Sequence, residues 1–127
     1  MCLSPWVDME ATGQSFVTNA AADPSVAKAR ILRMARVYLA GKSPQAPLAS
    51  PLHADLHGLP PLLVQVGSIE TLLDDARALT ARAQAAGVSV ELEVWEDMPH
   101  VWQHFAPILP EAQHAIARIG EFVRKYV

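Results

Sequence analysis

Two short apolar stretches constrain this chain more than anything else in it. "PLLVQVGS" and "VSVELEVW" are separated by a segment whose apolar groups recur at helical spacing. The first is continuously apolar and bounded by Pro61 and Gly67, as suits a strand buried on both faces. The second alternates Val88, Val90, Leu92 and Val94 with Ser89, Glu91 and Glu93, the pattern of a half-buried strand near a sheet edge. Between them Leu72, Ala76, Leu79, Ala83 and Ala86 mark one face of a helix, and Gly87 is placed to end it. Strand, helix and strand at this spacing predict a right-handed crossover between parallel strands. The fold class expected is therefore α/β.

The remaining segments fit around that unit. Pro110 to Val127 sets Ala112, Ala115, Ile116, Ile119, Phe122, Val123 and Tyr126 on one stripe, a second amphipathic helix. "MCLSPW" reads as the last residues of a buried strand running into a proline turn, without the lead-in a strand needs, so truncation is expected. Residues 10 to 22 are small and polar and predict a loop with one weak helical turn. Asp23 and Pro24 have the character of an N-cap and a first helical residue. A helix from Ser25 to Ala40 would follow, with Gly41 closing it. The proline-rich connector from 43 to 61 has no helical or strand pattern.

Composition narrows the functional classes. The chain has 127 residues, 51% hydrophobic, which suits one globular domain with a real core. A formal net charge of −3 offers no footprint for nucleic acid. No apolar run approaches the roughly 18 residues of a spanning helix. Cys2 is the single cysteine, so an intrachain disulfide is impossible and the cytoplasm is the expected compartment.

In parallel sheets the chemistry gathers at the carboxyl ends of the strands. "GSIETLLDD" and "EDMPHVW" occupy that position, an acid-rich loop and then a histidine loop. His100 on its own could equally be a loop histidine bonded to backbone. His100 and His104 stand four apart, and His53, Asp55 and His57 form a further possible ligand trio. Neither set has the His-Glu-x-x-His arrangement of a zinc helix, so no metal or cofactor is expected.

"SPWVDM", the run from Gly58 to Asp75, "AAGVSVELEVWEDMPHVW" and "AIARIGEFV" resemble the carboxy-terminal half of the hormone-sensitive-lipase family of α/β-hydrolases, bacterial carboxylesterases of small acyl esters. The resemblance implies a partial α/β-hydrolase fold, about three mainly parallel strands flanked by helices, across 1–127. Cap-type helices would fall within about 7–50. It further implies a Ser–acid–His triad with Glu70 as the acid, His100 as the base, and Asp74 or Asp75 as alternative acids. Trp102, two residues from His100, would contact the substrate.

The family's Gly-x-Ser-x-Gly elbow and His-Gly-Gly motif do not occur in these residues. Gly13-Gln14-Ser15-Phe16-Val17 comes nearest and lacks the second glycine. The chain alone is therefore expected to be inactive, with a small acyl ester as substrate only when completed by an amino-terminal half. As an alternative, it would be a non-catalytic assembly module pairing through a sheet edge, with a separate amino-terminal partner or a second copy of itself.

Overall fold

The structure, a computed structural model, describes residues 1–126. Val127, the last position of the expected final helix, lies outside the described residues. The sheet has three strands in the order β1 (Cys2–Leu3), β2 (Leu62–Gly67), β3 (Val90–Trp95), and both pairings are parallel. β2 is central and its residues from Leu63 onward are buried, as its continuous apolar pattern requires. β3 lies at the edge of the sheet, and Val94 is 41% exposed there.

Helices α1 (Ser15–Thr18), α2 (Lys28–Leu39), α3 (Leu73–Ala85) and α4 (Pro110–Tyr126) complete the fold. Successive residues of β2 face opposite ways. Val64 and Val66 join Leu73, Ala76, Leu79 and Ala83 of α3 in the principal core. Burying each such branched side chain contributes roughly 1.5–3 kcal/mol. Gln65 points to the other face, where its Nε2 donates to the Ala115 carbonyl of α4 at 3.0 Å and to Glu93 at 2.9 Å. Its Oε1 accepts from Gln103 at 2.9 Å, so this wholly buried amide is fully partnered. The α4 stripe is covered only in part: Ala112, Ala115 and Phe122 are buried, while Ile116 and Val123 stand open.

α2 begins later than the sequence predicts. Asp23 does not cap it, because the Asp23 carboxylate is divided between two tasks. Oδ1 accepts the Ser25 and Val26 amides, folding a turn ahead of the helix, and Oδ2 accepts the Thr71 amide at 2.9 Å. At the other end Ala40, with φ +47°, takes the left-handed position ahead of Gly41. No helix of the described residues is long and apolar enough to cross a membrane.

Candidate active site

The register of β2 and β3 pairs Gly67 with Trp95, so both strands deliver their following loops to one rim. The β3 loop crosses directly over the end of β2. A Cβ on Gly67 would lie 1.8 Å from the Met98 carbonyl oxygen, so only glycine permits this approach. Left-handed residues bracket the loop, Asp97 at φ +56° and Val101 at φ +50°. Such a φ is an outlier for a β-branched residue, and strain of this kind concentrates at functional sites.

Glu70 follows β2 with no exposed surface. Its Oε1 accepts from the Gly67 amide at 2.6 Å and the Ser4 hydroxyl at 2.7 Å. Its Oε2 lies 2.9 Å from Nδ1 of His100. Facing this carboxylate, Nδ1 is the nitrogen that carries the proton of a neutral imidazole, which leaves the lone pair on Nε2. Nε2 makes no hydrogen bond among the described residues. His100 also lines a cavity of about 400 Å³ whose other walls include Trp6, Val26, Ile31, Met34 and Leu72. A buried acid, an oriented imidazole and an apolar recess are the parts of an acid–base apparatus beside a hydrophobic ligand pocket.

The other sequence candidates are placed elsewhere. Trp102, expected beside the substrate, is wholly buried and packs on Ala112, Ala115 and Trp95, with 5.7 Å between the two indole centroids. The left-handed turn at Val101 sends it under α4, and Trp6 lines the cavity in its stead. Asp74 accepts the Ser15 amide at 2.8 Å, and Asp75 accepts the amides of Val7 and Asp8 at 2.9 and 3.1 Å. Burial pushes Asp75 up to about 6; those two amides oppose the rise, and the charges of Asp8 and Asp74 reinforce it. Ser15 is buried, its hydroxyl donating to the Thr71 carbonyl at 2.6 Å and accepting the Asp74 amide. His104 is exposed.

The His53, Asp55 and His57 trio is divided. His57 and Asp55 pair at 2.6 Å on the surface, whereas His53 lies with Asp8 and Glu10, their ligand atoms within 4.8 Å of one another. Both Asp8 oxygens already accept hydrogen bonds from Glu10 and Thr12. Although burial raises Asp8, those bonds hold its carboxyl below the ordinary value.

Three residues at this rim play parts that sequence reasoning does not assign. They are Ser4, the close-approach glycine Gly67, and Asn19. The Asn19 amide donates to the carbonyls of Ser68 and Glu70 at 3.0 and 2.8 Å. A glycine ending an apolar strand was the one available hint.

Comparison with known proteins assigns the fold. Residues 1–104 match the family described by the alpha/beta hydrolase fold. The chain belongs to the α/β-hydrolase fold family. Within that fold it is 77% identical to the crystal structure of an esterase from the bacterial hormone-sensitive lipase family, with a TM-score of 0.97 over 98% of this chain and 42% of that one. An acetyl-hydrolase of Streptomyces hygroscopicus is 51% identical over 98% of this chain and 42% of its own length. An esterase of Acinetobacter venetianus is 38% identical over 94% and 40%. The chain thus spans about two fifths of these α/β-hydrolase relatives.

Proposed function

We propose that this chain supplies the acid and base of a carboxylic ester hydrolase acting on small acyl esters. The observation that carries this reading is the 2.9 Å approach of His100 Nδ1 to the buried Glu70 carboxylate, at the mouth of an apolar cavity. Glu70 fixes the imidazole. His100 Nε2 takes the proton of a serine hydroxyl as it attacks the ester carbonyl, then returns it to the leaving alcohol. The cavity wall from Trp6 to Met34, including the cap-type helix α2, receives the apolar part of the ester. The serine and the oxyanion donors belong to the part of the fold that these residues do not span. The chain alone therefore has little or no turnover.

A chimera tests this. The matching segment of an esterase relative is replaced by residues 1–127, and hydrolysis of p-nitrophenyl acetate is measured. Activity in the chimera that His100→Ala abolishes supports the assignment. Activity that survives His100→Ala sinks it, and so does equal, His100-dependent turnover by the isolated chain.

The exposure of Val94, Ile116 and Val123 along β3 and α4 favours a second role for this surface, association with another chain. The solution mass of the isolated chain decides this: a monomer at micromolar concentration removes it.

A further inference from the structure

Ser4 stands outside both loops that carry the acid and the base, yet its hydroxyl touches both. Oγ donates to Glu70 Oε1 at 2.7 Å and accepts the Val101 amide at 3.2 Å. One oxygen thus joins the end of β1, the loop after β2 and the residue next to His100. The donation also governs the direction of the carboxylate. With Oε1 held by both Ser4 and the Gly67 amide, Oε2 is left for Nδ1 of His100. Without Ser4 a single donor would hold Oε1, and the carboxyl could turn about its terminal torsion, which is broad.

The backbone is strained to place this hydroxyl. Ser4 has φ +45° and precedes Pro5, and a residue before proline is pushed toward extended conformations. It is also 96% buried, its relative exposure being 4%. A buried, strained, non-glycine residue persists only where its surroundings over-determine it. Here the surroundings are the donor and acceptor bonds of the hydroxyl, reinforced by the Ser4 amide bonded to the Gln65 carbonyl at 2.8 Å.

We propose that Ser4 is a positioning residue for the acid–base pair, locking the Glu70 carboxylate toward His100 and tethering the histidine loop through Val101. The proposal rests on the reading of Glu70 and His100 as acid and base. Ser4 also lines the cavity, but its hydroxyl bonds to Glu70 and to the Val101 amide and makes no bond to the His100 ring, so its effect on the imidazole runs through those two residues.

The test uses the 127-residue chain, with Ser4→Gly and Ser4→Ala, and reads the His100 ring nitrogens and the Val101 amide by NMR. Glycine relieves the left-handed strain and alanine keeps it, yet both delete the hydroxyl. We expect neutral His100 to carry its proton on Nδ1 in the unsubstituted chain and to become a mixture of tautomers in both variants. Val101 amide exchange should be slow in the unsubstituted chain and at least about tenfold faster in Ser4→Gly. An unaltered Nδ1–H tautomer in Ser4→Gly overturns the role of Ser4 while leaving the acid–base pair intact. A tautomer change in Ser4→Ala alone overturns it too, since strain and not the hydroxyl would then be the cause. Fast Val101 exchange in the unsubstituted chain counts against it without any variant. Absence of the Nδ1–H tautomer from the unsubstituted chain overturns the acid–base reading itself.

Discussion

Gly67 and Met98 meet so closely that the α-hydrogen of the one occupies the only space left by the carbonyl of the other, where a Cβ would lie 1.8 Å from the oxygen. That contact seats the histidine loop on the end of β2. Gly67→Ala must displace backbone, which a flexible side chain could have avoided. We expect a loss of about 1–3 kcal/mol in denaturant unfolding, together with shifted His100 ring signals. An alanine variant of unchanged stability and unchanged His100 signals would refute the close approach.

The three neighbouring acids should separate by function. In the chimera, Glu70→Gln keeps the shape of the side chain but puts an NH2 donor in place of one accepting oxygen and removes the charge that steadies the imidazolium. We expect kcat to fall on the order of 10³–10⁴-fold. Asp74→Asn, which alters ties to Ser15 and Arg77 only, should retain more than about a tenth of the activity. The reverse ranking would move the acid to Asp74.

Asp75 gives the fold a pH dependence of definite sign. Its carboxyl is raised from 3.8 to about 6, first by burial and then by the charges of Asp8 and Asp74. The folded chain holds the extra proton between those two values. The stability Asp75 contributes is therefore complete below the lower value and is lost as pH climbs through the upper one. Asp8 and Asp23 work oppositely, since hydrogen bonds hold both below the ordinary carboxylate value despite burial. Their contribution is present above that ordinary value and lost in stronger acid. Asp75→Asn isolates the one group. Relative to the unsubstituted chain, it should gain stability on the order of 1–3 kcal/mol between pH 4 and 6.5 in urea titrations. A flat difference across that window would contradict the raised carboxyl.

Gln65 holds α4 to the sheet through a satisfied polar contact in an otherwise apolar strand. Gln65→Leu leaves the Gln103 amide buried without its acceptor, in a region where Gln103 Oε1 and Trp102 Nε1 already lack partners. We expect a cost of about 2–4 kcal/mol. Adding Gln103→Met removes the stranded group, so the double variant should be no less stable than the single one. Strict additivity by thermal unfolding would dismiss the coupling.

What was legible in the sequence was what local periodicity encodes. The apolar–polar alternation from Val88 to Val94 and the 72–86 spacing located β3 and α3, but the alternation did not carry over to burial: Val94 is exposed while Glu91 and Glu93 are half-buried. The sheet-end position of the acid and histidine loops followed from the strand order. Asp23 has the local character of a helix cap yet does not serve as one, because half of its carboxylate serves Thr71, 48 residues away. Ser4 carries no local signal of its role because its partner Glu70 is 66 residues distant. Trp102 was assigned to the pocket by proximity to His100. The left-handed Val101 between them reverses the chain, a conformation that a valine gives no reason to expect.

The carboxylates around α3 hold the amino-terminal segment by its backbone. Asp75 takes the amides of Val7 and Asp8, and Asp74 takes the amide of Ser15. An amide hydrogen is common to every residue except proline. These anchors therefore do not depend on which side chains occupy those three positions. The wall of the cavity can drift in composition, and with it what the cavity admits, while its attachment stays the same; proline is the one substitution this arrangement forbids.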